Sequence, residues 1–234
     1  MIILGMKFGV HKSADVMMNF LRDKYLEEFE IHEISYHNSS YSTHQYYYGK
    51  AYSVNDPNLL FSFKLSNRHK VIGDDYMNVV MAEKVKKAVT PIIKEMFHEE
   101  MIMNLRIYHG IDKFPDHRYI NKNMTFHDYF MQQRKTEIRT YIPIYFSCPS
   151  PIVKEEEAKR TNEFVQKLKD LGLHNTEGII FYLKPNTYQK IKHMSVNEID
   201  KITDMDLYAE EYVYNVCEFE QKGNSKKAKR YYYL

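Results

Sequence analysis

The chain has 234 residues, 44% hydrophobic and 27% charged, and its 33 basic and 31 acidic side chains leave a net charge of only +2. A chain of this length buries roughly 70% of its unfolded surface and needs no metal or disulfide staple. The composition excludes a disordered polymer, and the charge balance supplies no global attraction to nucleic acid or anionic lipid.

The opening run Met-Ile-Ile-Leu-Gly-Met is too short for a membrane span or a full signal h-region, which need about 20 and about 7–15 residues. It reads either as the tail of a removed or truncated anchor or as a first strand, Ile2 to Val10. Ser13 is the expected N-cap of a helix with Val16, Met17, Phe20, Leu21 and Tyr25 on one face, ending near Glu28. Phe29 and Ile31 begin an alternating strand to Tyr36, and a polar turn leads to a second strand, His44 to Val54, holding Tyr46-Tyr47-Tyr48-Gly49. Asp56-Pro57-Asn58 turns into a third strand, Leu59 to Leu65, so the spacing predicts an antiparallel meander. Asp74 or Asp75 then caps a long helix striped by Met77, Val80, Met81, Val85, Val89, Ile92, Ile93, Met96 and Phe97, with Pro91 expected to kink or split it near Thr90.

The runs Lys24-Tyr25-Leu26-Glu27-Glu28-Phe29-Glu30-Ile31, the tyrosine-rich strand, Asp56-Pro57-Asn58-Leu59-Leu60-Phe61 and the helix-opening Asp74-Asp75-Tyr76 form one ordered pattern. It resembles uncharacterised membrane-anchored or lipoprotein-like extracytoplasmic proteins of Gram-positive bacteria. The sequence departs from that group at Leu26, where glycine is frequent, and has no lipobox cysteine near its start. The resemblance implies attachment outside the cytoplasm, with membrane association through a missing N-terminal anchor, and no known activity.

Beyond His98-Glu99-Glu100 the residues Met101 to Tyr108 alternate as a strand, and the polar stretch His109 to Asn123 marks a seam or an exposed loop. Thr125 caps a short helix with Phe126, Tyr129 and Phe130 inside. A strand from Ile138 to Phe146 carries Pro143, which argues for an edge position or a bulge. Ser150 and Pro151 are the expected N-cap and first residue of a helix with Glu155, Glu156 and Glu157 in its early turns, Lys167 and Lys169 late, and Val153, Phe164, Val165, Leu168 and Leu171 on the buried side. Gly172-Leu173 ends it, and Ile179 to Leu183 is a strand buried on both faces, giving a β-α-β crossover with parallel partners. A short helix between Tyr188 and Ile202 and a last strand, Tyr208 to Phe219, precede a basic, aromatic C-terminus.

Cys148 and Cys217 fit no zinc or redox spacing; they either pair or are two buried thiols. His109, Asp112, Asp116 and His117 offer imidazole and carboxylate ligands in one loop, which suits a zinc-like ion, although the spacing matches no standard metal motif. Glu218, Glu220 and Lys222 look like the catalytic half of a restriction-like nuclease without its upstream aspartate. No phosphate loop or nucleophile elbow is present, so no cofactor is expected. Tyr41, Tyr46, Tyr47, Tyr48 and Tyr52 are the candidate binding surface, since alternate residues of a strand leave at least one ring exposed.

The sequence therefore predicts an α+β fold: an α-β-β-β-α unit over residues 1–100 and a β-α-β-α-β unit over 101–234, or one compact domain with a continuous mixed sheet. The expected role is a non-enzymatic extracytoplasmic or membrane-associated domain that binds a protein partner, with no specific nucleic acid. A cytoplasmic location and a metal-dependent hydrolase or nuclease are the alternatives.

Overall fold

A computed structural model describes residues 2–38, 45–97, 100–109, 113–115, 121–133, 137–194, 198–199, 202 and 212–222. The fold is α+β, with two compact units: Met1–Met81 with Tyr108–Ile138, and Ala82–Ile107 with Arg139–Leu234. The cut expected between residues 100 and 101 falls inside the second unit.

The first unit begins with α1, Ile2–Tyr25, so the expected strand from Ile2 to Val10 is helix instead. An apolar run that short carries too few periods to separate helix from strand. Its continuation decides the matter: Gly9, Ser13, Met17, Leu21 and Tyr25 are buried at four-residue intervals along one side. Ser13 is thus not an N-cap; it lies within the helix, buried, with its hydroxyl 2.7 Å from His69 Nδ1. The helix stops at Leu26, whose φ is 57° and whose N–H donates to the Arg22 carbonyl at 2.8 Å, a left-handed C-terminal cap made without glycine.

Four strands follow in an antiparallel meander: β1 Phe29–His37, β2 Tyr46–Ser53, β3 Asp56–Ser66 and β4 Val71–Asp74. The last was expected as turn. Ala51, Phe61, Phe63 and Leu65 fill the inner face, where Phe29, Phe61, Tyr25 and Tyr76 meet edge to face or tilted, with ring centroids 4.7–5.9 Å apart. The helix α2, Tyr76–Phe97, continues through Pro91 without splitting, and the Thr90 hydroxyl donates to the Lys86 carbonyl at 2.7 Å. In the same unit Thr125 caps α3, Phe126–Gln132, by accepting from the Asp128 N–H, as its sequence predicts.

In the second unit the strand expected over Met101 to Tyr108 is interrupted, giving β5 Met101–Met103 and β6 Arg106–Tyr108. Both pair with β7, Arg139–Ser147, whose other side pairs in parallel with β8, Asn175–Leu183; β9, Val213–Lys222, completes the sheet antiparallel to β8. Pro143 therefore occupies a central strand, contrary to the expectation of an edge. Its carbonyl accepts from Asn104 N–H at 3.1 Å, so the absent proline donor faces the gap between β5 and β6. The break in the neighbouring strand accommodates the residue that cannot donate.

The crossover helix α4 is Lys154–Asp170, capped by Val153 without a side-chain bond; Ser150 and Pro151 lie outside it, and Val153 is exposed. Its C-terminus forms as expected: Gly172 has φ 83° and donates to Lys169 O at 2.8 Å, while Leu173 N–H donates to Leu168 O at 3.1 Å and both leucines are buried. On one face of this sheet Phe97 stacks on Phe146 and meets Phe164 edge to face, and Phe164 meets Phe219 edge to face. On the other, Tyr145, Phe181, Leu183 and Val216 pack with Tyr188 and Ile191 of α5, Pro185–Ile191, so the run around Ile179–Leu183 is covered on both sides.

Both cysteines are buried, and no disulfide joins them. Cys148 N–H bonds to Leu183 on one side of β8, whereas Cys217 is opposite Ile180 on the other. Two strand spacings, about 9.5 Å, separate them, beyond the roughly 7 Å limit for a disulfide. The native protein is expected to show no reactive thiol and no mass change on reduction, with both thiols titrating once it is unfolded. The two left-handed cap positions make opposite predictions: Gly172→Ala should lose about 1–2 kcal/mol, and Leu26→Gly, at an 88% exposed site, should gain about 0.5–1 kcal/mol in urea unfolding.

Candidate functional site

Alternation along β2 divides its residues between two environments. Tyr47, Gly49, Ala51 and Ser53 point inward and are buried, while Tyr46, Tyr48, Lys50 and Tyr52 are half-buried on the outer face. There the strand register sets His37 opposite Tyr46, Ser35 opposite Tyr48 and Glu30 opposite Tyr52. The Tyr46 ring stacks on His37 at 5.1 Å and receives Lys64 Nζ 4.1 Å from its centroid. The Tyr48 hydroxyl donates to Ser62 at 2.7 Å, the Tyr52 hydroxyl to Glu30, and Lys50 pairs with Glu33 at 3.1 Å. Three of the five candidate tyrosines thus share one braced face; Tyr47 is turned into the interior, and Tyr41 lies outside the described residues.

A second constellation, not foreseen as a site, lies on the inner side of the same unit where β4 meets α2. Asp74 has no solvent exposure; it accepts from Lys24 Nζ at 2.7 Å, Tyr25 Oη at 2.7 Å and Tyr76 N–H at 3.2 Å. Burial draws the Lys24 ammonium below its usual pKa despite the pull of Asp74, and burial and then Asp74 push the Tyr25 phenol well up. Beside it, the Asp75 carboxyl is pushed up to about 7 by burial and by Asp74, against a stabilising bond from Asn78 Nδ2 at 3.3 Å. Asn78 Oδ1 accepts in turn from Tyr129 Oη at 2.6 Å and from His109 Nε2 at 3.0 Å.

Glu27 forms the flank of this network. Burial opposes its ionisation, but hydrogen bonds from Lys122, at 2.8 Å, and Ser53, at 3.0 Å, outweigh it and hold the carboxyl below its usual range. The Tyr76 hydroxyl, itself pushed up to about 12 by burial and Glu27, donates to the same carboxylate at 3.2 Å. The sequence pointed to Asp74 and Asp75 as caps; Asn78 is a neighbour one helical turn on, whereas Lys24, Tyr25, His109 and Tyr129 reach the cluster only through the fold. Their signal is weak: polar residues at positions whose helical or strand period faces inward.

Of the expected metal set, His109 is buried and bonded to Asn78, while Asp112, Asp116 and His117 lie outside the described residues. Glu218 and Glu220 stand half-buried on β9, with Glu220 opposite Glu177. Among the described residues no group of three His, Cys, Asp or Glu side chains could hold a metal ion. In the second unit Glu157 is buried on α4, accepts from the Tyr182 hydroxyl and lies 3.3 Å from Arg160; burial lifts its carboxyl to about 7, opposed by Arg160 and Thr161.

A solved structure of a DUF5037 family protein from Ruminococcus gnavus is similar to this chain, with a TM-score of 0.52 and 17% identity over 93% of this chain and 94% of that one. No family model matches the sequence, and no curated protein matches it. At that identity the likeness shows the fold alone.

Removing Asp74 strands a buried ammonium, so Asp74→Ala should cost about 3–5 kcal/mol in denaturant unfolding, and Tyr129→Phe only about 1–2 kcal/mol because His109 still satisfies Asn78. Glu157 has a folded pKa of about 7 against 4.5 for the unfolded group, so its stabilising contribution is complete below pH 4.5 and lost as pH rises through 7. Thermal midpoints measured across that range should fall less steeply with pH in Glu157→Gln than in the wild type.

Proposed function

We propose that the protein is a non-enzymatic interaction domain, extracytoplasmic or membrane-associated, that binds a protein partner through the outer face of the β1–β4 sheet. The observation that carries this reading is the row Tyr46, Tyr48 and Tyr52, half-exposed on one face and braced by His37, Lys64, Ser62 and Glu30. Rings already held in place lose little side-chain entropy on binding, which is what makes tyrosine a frequent anchor of protein interfaces. On this face Lys50 pairs with Glu33, Lys64 lies over the Tyr46 ring and Glu30 accepts from Tyr52, so a partner needs polar and apolar complementarity rather than a strong opposite charge. The extracytoplasmic assignment is supported by the resemblance of the N-terminal runs. No helix among the described residues is long and apolar enough to cross a membrane, so the anchoring reading concerns attachment outside these helices.

Cross-linking in the native cells, followed by mass spectrometry, tests the binding surface. Wild type is expected to give a discrete cross-linked protein; Tyr46→Ala/Tyr48→Ala should lose about tenfold or more of it, as an anchor worth about 2 kcal/mol predicts, while Glu163→Ala on α4 keeps it. Retention by the double variant would overturn the reading. Intact mass of the protein from its own cells tests location: a processed or lipid-bearing N-terminus is expected, and an unprocessed Met1 in the cytoplasmic fraction would overturn that part.

A further inference from the structure

We propose that the protein self-associates through β1, whose outer edge pairs antiparallel with the β1 of a second copy about a two-fold axis at Ser35. β1 ends the β1–β4 sheet, and among the described residues no strand pairs with its other side. Natural sheet edges are blunted by lysine, proline, inward-pointing charge or short length. The opposite edge, β4, has only four residues, Val71–Asp74. β1 has nine, Phe29–His37, with no lysine, arginine or proline, and its inward side chains are Phe29, Ile31, Ile34 and Tyr36. Its irregularity is a bulge between Ile31 and Glu33, which leaves Glu33 to His37 as a regular run whose side chains are exposed or half-buried.

Backbone phase and side-chain chemistry both fit that axis. The Glu33 carbonyl is turned toward β2, where it closes on the space that a Cβ of Gly49 would take. Main-chain groups of an antiparallel strand alternate in direction, so Ser35 and His37 also face β2, while the N–H and C=O of Ile34 and Tyr36 point outward. With Ser35 opposite Ser35 of the second copy, Ile34 lies opposite Tyr36, and each such pair exchanges both main-chain bonds of the ladder. Ser35 is the middle of the regular run, so this register pairs all of it and keeps each face of the sheet continuous. Inside, Ile34 of one copy covers the half-buried Tyr36 ring of the other, which packs 4.9 Å from Tyr47. Outside, the Glu33 carboxylate, already 3.1 Å from Lys50, meets the His37 imidazole, so an acceptor stands opposite a ring N–H at both ends of the paired run. Self-association joins the two outer faces into one surface and does not depend on what binds there.

Analytical ultracentrifugation of the full chain over about 1–500 µM tests this, with the mass expected to double across the range. Ile34→Pro removes an outward donor and no bond to β2, so its circular dichroism should match the wild type while association weakens about tenfold or more. Ser35→Cys sets two thiol-bearing residues about 4.5 Å apart at Cα across the axis, within disulfide range, whereas His32→Cys in the bulge lies outside the paired run. Mild oxidation should therefore give a covalent dimer of Ser35→Cys and not of His32→Cys, the native cysteines being buried. A wild type that stays monomeric throughout would overturn the proposal. So would a folded Ile34→Pro variant that associates like the wild type, or cross-linking as ready at position 32 as at 35. If Ile34→Pro does not fold, the comparison of the two cysteine variants decides alone.

Discussion

A carboxylate with no contact with water has to find its solvation within the protein, and Asp74 finds it in Lys24, Tyr25 and the first N–H of α2. Those three partners come from the end of α1 and the start of α2, some fifty residues apart in the chain. Satisfying one buried charge therefore fixes where the first helix ends against the sheet and where the second begins. Leu26 accepts a left-handed backbone immediately after Tyr25, and the chain turns at once into β1. The strain at that residue is small beside the cost of leaving the carboxylate unanswered.

Outward from Asp74 the same logic recruits further elements. Asp75 orients Asn78, Asn78 gathers Tyr129 and His109, and Glu27 gathers Ser53, Tyr76 and Lys122. Residues of the Tyr108–Ile138 segment thus belong to the first unit through polar contacts as much as through packing. The second unit is built differently. Its sheet is covered on both faces by aromatic and aliphatic side chains, and its main buried charge, Glu157, sits beside Tyr182 and Arg160. One unit is organised by a polar hub inside an aromatic shell, the other by hydrophobic burial around a central pair of parallel strands.

The tyrosine face and the polar hub occupy opposite sides of one sheet, and alternation along the strands keeps their chemistry apart. Lys64, on the outer face, and Asp74, on the inner, are both side chains of the β3–β4 pair. Rigidity gained inside, where hydroxyls and carboxylates lock α1, α2 and α3 to the sheet, is available outside to hold Tyr46 and Tyr48 in fixed positions. A surface that binds with rings gains from such a support, since anchors that are already ordered lose less on binding.

Local pattern determined much of this protein: the period of two in β1, β2 and β3, the apolar stripe of α2, the Thr125 cap, and the Gly172-Leu173 stop all form where the residues imply. Each depends on neighbours within a turn or a strand, so the sequence alone carries the information. For the candidate tyrosines, alternation alone places Tyr46 and Tyr48 on one side of β2 and Tyr47 on the other, so Tyr47, expected among the five, turns inward. Tertiary structure decided what depends on residues distant in the chain. It made Ile2–Tyr25 one helix, placed Pro143 in a central strand opposite a break, set Cys148 and Cys217 on either side of β8, and brought Lys24 and Tyr25 to Asp74 and His109 and Tyr129 to Asn78. Hydrophobic period states that a side chain is buried; which polar group it meets there is set by pairing between segments, and no local rule encodes it.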